Sequence, residues 1–207
     1  MLTSDVTGVI LAGGRSSRMG TDKAQLRVGQ ISLLERSARA QLPLVDEILI
    51  LGSAPQPFTD DALSATVTWV EEELPFQGPV AALCLAAEFL TKPWVLVLPC
   101  DLAFPERAAA YLLAEGRRRA SADADADAAP DAIIAQDGDG RTQWLTGLFR
   151  TAAIREKFLA LPSTDVSVRA ALEGLALATL APPAGENRIW EDMDTPEDFQ
   201  RVQEELS

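Results

Sequence analysis

The sequence of 207 residues contains no histidine, and this absence excludes several kinds of catalytic site. Histidine is the usual general base near neutral pH and the usual partner of a nucleophilic serine or cysteine. It is also a common zinc ligand, so any metal must be held by oxygen atoms, which favours magnesium or manganese. The sequence therefore argues against histidine-dependent hydrolases and zinc enzymes.

Cysteine, basic residues and long apolar runs are also scarce. Cys84 and Cys100 provide neither a disulfide framework nor a metal-ligand spacing, and we expect both to be reduced core residues. The net charge of −13 argues against nucleic acid as the main partner, because phosphate contacts need a basic face. No run reaches the roughly 20 apolar residues of a membrane span, and residues 1–5 are acidic, unlike a secretory signal. These absences predict a cytoplasmic protein with no membrane or nucleic-acid partner.

A glycine-bearing turn follows the first apolar run of the chain. Residues 6–11 are apolar except for Thr7 and Gly8, and Ala12-Gly13-Gly14 comes next. This pattern is typical of a buried parallel strand that ends in a loop, where free backbone N–H groups can bind a phosphate. Three cations lie close behind the turn: Arg15, Arg18 and Lys23. The residues up to Lys23 include three cations and two acids, so this segment has a net charge of +1, whereas the whole chain has −13. A cationic segment of this kind suits a polyphosphate ligand. An ordinary turn with solvated arginines is the alternative interpretation.

The remaining periodicity predicts an α/β domain. Strands are predicted at Val6–Leu11, Glu47–Leu51, Val67–Val70 and 94–98, with helices near 33–42, 80–90 and 106–117 between or after them. This alternation predicts a parallel sheet with right-handed crossovers. Later strands at 132–135, 142–149 and Leu177–Leu180 make the sheet mixed, with a hairpin turn at 137–140 and helices at 151–161, 167–175 and after Thr195. Residues 117–131 are low-complexity and are predicted to form a flexible loop within a single domain of residues 1–207.

An aspartate, Asp101, closely follows the most apolar of these predicted strands. In an open α/β sheet the ligand lies beyond the carboxyl ends of the strands. A carboxylate at that position can hold a magnesium ion that bridges phosphate oxygens. The alternative is a local turn or helix cap before the next helix, which aspartate also favours.

Several of these motifs resemble those of one family. The series Leu11-Ala12-Gly13-Gly14, Arg18-Met19-Gly20 and Asp22-Lys23 resembles the signature of the molybdenum cofactor guanylyltransferases, the MobA family of nucleotidyltransferases. Pro99-Cys100-Asp101-Leu102 resembles the family's strand-end motif, and the segment from Asp192 to Asp198 resembles its closing motif. The resemblance implies a single Rossmann-like three-layer α/β/α domain with a mostly parallel mixed sheet.

The resemblance also implies roles for individual residues. Lys23, Asp101 and Arg15 are expected to be catalytic, and Asp101 with Asp192 is expected to hold Mg²⁺, with Mn²⁺ as the alternative metal. Asp194 is the alternative second ligand, and a solvated acidic helix cap is the alternative role for this pair. The expected nucleotide-binding residues are Leu11, Ala12, Gly13, Gly14, Arg15, Arg18, Lys23, Ser53, Glu72 and Asp101.

The implied reaction transfers GMP from GTP to the phosphate of molybdopterin and releases pyrophosphate. Gly14 favours GTP, because cytidylyltransferase-like relatives carry Leu-Ala-Ala-Gly at this turn. The sequence departs from the family at Gly52-Ser53, where the family has an asparagine that reads guanine, and at Asp192 and Asp194, where many members have asparagine. Segments 143–145, 147–150 and 167–169 resemble the family's acceptor side.

Two alternatives remain at this point. One is a cytidylyltransferase or sugar-phosphate nucleotidyltransferase of the same fold, and the other is a non-catalytic nucleotide-binding adaptor. The implied partners are GTP, molybdopterin and the proteins that handle the molybdenum cofactor.

Overall fold

The computed structural model describes residues 3–12, 23–52, 58–71, 78–122, 129–161 and 166–206. Its strands are β1 (Val6–Leu11), β2 (Arg27–Val28), β3 (Ile31–Ser32), β4 (Glu47–Leu51), β5 (Val67–Val70), β6 (Trp94–Pro99), β7 (Ala132–Gln136), β8 (Thr142–Arg150) and β9 (Leu177–Leu180). Its α-helices are α1 (Leu33–Gln41), α2 (Asp61–Thr66), α3 (Pro79–Ala87), α4 (Pro105–Ala122), α5 (Thr151–Ala160), α6 (Val168–Ala171) and α7 (Pro196–Glu205). Short 3₁₀ turns lie at Thr3–Asp5 and Lys23–Gln25.

Seven of the strands form one mixed sheet, in the order β5-β4-β1-β6-β8-β7-β9. Strand β1 pairs in parallel with β4 and β6, and β4 pairs in parallel with β5. Strand β8 is antiparallel to both β6 and β7, while β9 is parallel to β7. The predicted α/β class with a mostly parallel mixed sheet is confirmed.

The central strands are buried on both faces, which explains their continuous apolar sequences. In β6, Leu96 and Leu98 belong to one core cluster, which also contains residues of α1 and α4. Val95 and Val97, which alternate with them, belong to the second cluster, with residues of α3 and α5. Because successive side chains of a strand point to opposite faces, the sheet lies between two helical layers.

Capping residues set the beginnings of two helices. Ser32 caps α1 by accepting a hydrogen bond from Glu35 N. The Glu35 carboxylate accepts hydrogen bonds from Arg39 and Thr59. At α7 the capping box of Thr195 and its third helical residue is complete. This cap fixes the start of the helix that follows the acidic closing motif.

Helix α4 corrects the predicted flexible loop at 117–131. The helix does not end near Arg117 but continues to Ala122, so the first part of the predicted loop is helical. Glu115 accepts hydrogen bonds from Arg118 and Arg119, one turn further along, which stabilises the extended part. Residues 123–128 lie outside the described residues.

Candidate functional site

A large cleft of about 1780 Å³ lies at the carboxyl ends of the central parallel strands. The cleft is lined by the ends of β1, β4 and β6 and the residues that follow them: Leu11, Ala12, Leu51, Gly52, Pro99, Cys100 and Asp101. The β7–β8 hairpin, the start of α6 and residues that precede α7 also line it. The cleft therefore lies where an open α/β sheet places its ligand.

Lys23 lies in this cleft between two carboxylates. Its Nζ donates to Asp101 Oδ2 at 2.7 Å and to Asp194 Oδ1 at 2.6 Å. The side chains of Lys23 and Asp101 are 19% and 17% exposed, whereas that of Asp194 is 57% exposed. Burial alone would lower the pKa of Lys23, but its hydrogen bonds and charge interactions with Asp101 and Asp194 outweigh burial and raise the pKa. Lys23 is therefore a firmly protonated ammonium group.

The local backbone brings Lys23 and Asp101 to the same place. Asp101 follows β6, and the residue before it donates its backbone N–H to Leu11 O at 3.2 Å, which ties this end to β1. Lys23 begins a 3₁₀ turn, which is closed by a hydrogen bond from Leu26 N to Lys23 O at 3.1 Å. Helix α4 begins at Pro105, so its N-cap position is Phe104, and Asp101 lies three residues before that position. The helix-cap interpretation of Asp101 is therefore wrong.

A second backbone segment lies against the loop that carries Asp101. Met193 N donates to Asp101 O at 2.9 Å, and Ala103 N donates to Glu191 O at 2.8 Å. Leu102 and Asp192 form an antiparallel bridge between these bonds. The pairing brings Asp192 and Asp194 to Asp101, although about ninety residues of sequence separate the two segments.

Asp192 has the most perturbed acidity in the cleft. Burial, followed by the charges of Asp101 and Asp194, raises the pKa of Asp192 to about 7, and the Lys23 ammonium offsets only part of this effect. Asp101, Asp192 and Asp194 therefore all lie within electrostatic reach of the Lys23 ammonium group. Because neighbouring carboxylates repel one another when all are ionised, a further positive charge near these three groups is stabilised.

The donor set of Asp101 and Asp192 fits a magnesium ion. Mg²⁺ is usually bound by one or two carboxylates, with water and substrate phosphates as its other ligands. Within the described ranges, no group of three or more histidine, cysteine or acidic residues is arranged to hold a metal ion. Asp101 and Asp192 could supply two of the oxygen ligands of such an ion.

The predicted nucleotide-binding residues are only partly within the described structure. Leu11 and Ala12 line the cleft, and Ala12 N donates to Leu51 O at 2.9 Å, which holds the start of the loop beside β4. Lys23 and Asp101 are brought together as described above. The other predicted residues lie outside the described residues: Gly13, Gly14, Arg15, Arg18, Ser53 and Glu72.

Two of the three predicted acceptor segments lie at the cleft. Residues 143–145 and 167–169 line the cleft, whereas 147–150 belong to the sheet-paired part of β8. The sequence analysis missed Asn187, Arg188 and Trp190, which also line the cleft. Their position just ahead of the closing motif at Asp192 is the signal that could have indicated them.

In the described part of the chain, no helix is both long and apolar enough to cross a membrane. This finding agrees with the absence of long apolar runs from the sequence.

The cleft and fold match a known family. A model of the MobA-like NTP transferase domain matches residues 8–180. A probable molybdenum cofactor guanylyltransferase of Synechococcus elongatus is 41% identical over 96 residues, which cover 45% of this chain and 49% of that protein. The chain thus aligns with about half the length of that relative. A molybdenum cofactor guanylyltransferase of Pseudomonas syringae is 30% identical over 189 residues, which cover 91% of this chain and 88% of that protein.

A solved structure shares the fold. Molybdopterin-guanine dinucleotide biosynthesis protein A of Archaeoglobus fulgidus superposes with a TM-score of 0.67 at 16% identity, over 97% of this chain and 98% of that one. The family model alone covers most of the chain, from residue 8 to residue 180. The chain belongs to the MobA-like NTP transferase family.

Proposed function

We propose that this protein transfers GMP from GTP to the phosphate of molybdopterin and releases pyrophosphate. The family membership and the relatives named molybdenum cofactor guanylyltransferase support this proposal. The cleft supports it as well, because it lies at the carboxyl ends of the parallel strands, where an open α/β sheet places its ligand.

One observation carries the proposal: the Lys23 ammonium lies between Asp101 and Asp194 in the cleft. Transfer of a nucleotidyl group depends on positioning and on neutralising phosphate charge more than on a protein nucleophile. A protonated lysine can neutralise phosphate charge, and a carboxylate beside it that binds a metal ion can position the phosphates. The absence of histidine is compatible with such chemistry.

In the proposed reaction, a phosphate oxygen of molybdopterin attacks the α-phosphorus of GTP. A new oxygen–phosphorus bond forms while the bond between the α-phosphorus and the bridging oxygen to the β-phosphate breaks. Pyrophosphate takes the electron pair of the broken bond and leaves. The Lys23 ammonium stabilises the negative charge of the leaving group.

Asp101 and Asp192 are the proposed ligands of Mg²⁺, and Mn²⁺ can replace it. When bound, the metal ion neutralises phosphate charge and orients the phosphate oxygens. Asp194 is the proposed partner that orients Lys23, since the two already form an ion pair. The proposed compartment is the cytoplasm, which agrees with a chain that contains only two cysteines.

The decisive test measures pyrophosphate release from GTP with Mg²⁺ and molybdopterin. We expect turnover by the wild type, and a loss of about 100-fold or more in Asp101→Asn, because the carboxylate charge that would hold Mg²⁺ and pairs with Lys23 is removed. Asp46→Asn is the matched control. Asp46 also pairs with a lysine, Lys92, at 2.6 Å, but beside the amino end of β1 and therefore away from the cleft.

Three outcomes would contradict the proposal. Wild-type activity in a folded Asp101→Asn variant would remove this residue from the reaction. A clear preference for CTP over GTP, ATP and UTP in calorimetric titrations would favour a cytidylyltransferase of the same fold. GTP binding without pyrophosphate release would favour a nucleotide-binding adaptor.

A further inference from the structure

Arg36 is a buried arginine that connects α1 to the loop carrying Asp101. Its residue is 7% exposed, and its Nη2 donates to the backbone carbonyl of Ala103 at 3.1 Å. Helix α1 also supports Lys23, because Leu33 N at its start donates to Leu26 O, directly after the Lys23 turn. The same helix therefore contacts both sides of the Lys23–Asp101 ion pair.

Ala103 is the point at which this connection reaches the site. Its backbone N–H donates to Glu191 O at 2.8 Å, and its carbonyl accepts from Arg36. Ala103 itself is fully buried. Two residues earlier, Asp101 O accepts from Met193 N. The segment from Asp101 to Ala103 is thus held by the closing segment along one side and by Arg36 at its end.

The charge environment of Arg36 does not explain why an arginine lies here. Glu106 Oε2 is 3.8 Å from its Nη2, and the Glu106 side chain is 58% exposed. Its Nη1 is buried and has no hydrogen-bond partner among the described residues. Burial lowers the pKa of Arg36, and Glu106 offsets this only in part. A buried and incompletely paired guanidinium opposes folding compared with a well-packed apolar side chain.

We propose that Arg36 is a positioning residue that holds the Asp101 loop in the geometry required for the reaction. This inference rests on the proposed function. Arg36 acts through the Ala103 carbonyl and does not itself contact the substrates. Small displacements of a catalytic group reduce rates strongly: a misplacement of about 1 Å can cost about 100-fold.

The test compares Arg36→Met, which keeps most of the side-chain volume but removes the donor, with Arg36→Lys, which keeps a donor. Arg39→Met is the control, because Arg39 lies on the same helix and its substitution also removes an ion pair, the one with Glu35. Hydrogen exchange of the Ala103 and Met193 amides and the kinetics with GTP are measured on folded protein.

In Arg36→Met we expect about tenfold faster exchange of both amides than in Arg39→Met, because the loop opens locally more often. We expect kcat to fall about 10- to 100-fold while KM for GTP changes less than about threefold, since ground-state binding does not depend on this loop alone. Arg36→Lys is expected to recover most of both effects.

The inference is overturned if Arg36→Met lowers only the melting temperature, with exchange and kcat equal to those of Arg39→Met. That result would give Arg36 a purely structural role. The exchange measurement needs no substrate, so a wild type without guanylyltransferase activity would contradict the proposed function and still leave the positioning of the loop tested.

Discussion

Gly8 lies within β1, where its missing side chain leaves room for the buried side chain of Gln41. A Cβ atom at Gly8 would lie 2.4 Å from Gln41 Oε1 and 3.3 Å from Val45 Cγ2. Gln41 is fully buried, and neither atom of its amide has a hydrogen-bond partner among the described residues. A side chain at position 8 would therefore force the buried Gln41 amide to shift.

We expect Gly8→Ala to lower the free energy of unfolding by about 1–3 kcal/mol, because the added methyl group overpacks a filled site. Urea denaturation of the purified variant measures this change. In a Gln41→Ala background the same substitution should have a smaller effect, because the clashing amide is gone. An equal loss in both backgrounds would contradict the proposed clash.

At the scale of elements, α4 shows that charged side chains can extend a helix beyond its apolar face. Its last turns contain few apolar residues, but Glu115 forms ion pairs with Arg118 and Arg119 within the helix. The Glu115 side chain is only 11% exposed. Hydrogen bonds, first from Arg118 and then from Arg119, lower the pKa of Glu115 from its ordinary 4.5 to about 2, although burial opposes this shift. The ionised form of Glu115 therefore stabilises the folded chain.

The sign of this shift predicts a pH dependence. Because the folded-state pKa is the lower one, the stabilisation is complete above pH 4.5 and is lost as the pH falls towards about 2. Glu115→Gln should lower the unfolding free energy at pH 7 by about 0.5–1 kcal/mol, since pairs within one helix are individually weak. The difference from wild type should shrink in thermal denaturation between pH 5 and pH 3.

Glu156→Gln, at an exposed position of α5, serves as the control. If the difference between Glu115→Gln and wild type does not change with pH, ionised Glu115 is not the source of the stabilisation.

At the scale of the whole molecule, β6 is the structural centre. It pairs with β1 on one side and with β8 on the other, and its side chains enter both core clusters. At the sheet edge, β9 pairs with β7, and three of its four residues are not buried. Stability is therefore expected to decrease from the centre of the sheet to this edge.

Hydrogen exchange can measure this gradient. We expect the amides of β6 to exchange only through global unfolding and those of β9 to exchange through local opening, about 100-fold faster or more. Peptide-resolved mass spectrometry at pH 7 provides the comparison. Similar protection of the two strands would contradict the inferred centre.

The sequence predicted local features better than distant pairings. Continuous apolar runs identified β1, β4 and β5 with the observed bounds, and a carboxylate after β6 indicated Asp101. The hydrogen bond of Lys23 to Asp194 spans 171 residues and depends on the folded backbone, so no local pattern reveals it. The role proposed for Arg36 was missed for the same reason, because its partner is a backbone carbonyl rather than a side chain.

The bridge between Leu102 and Asp192 also orders events during protein synthesis. Asp101 leaves the ribosome long before residues 191–193, and at about 5–20 residues per second the delay is roughly 5 to 20 s. During this time the parallel strands β1, β4, β5 and β6 can already assemble, but the Asp101 loop lacks its two backbone hydrogen bonds with Glu191 and Met193. The growing chain therefore acquires its sheet first and the closed acidic side of its cleft only later.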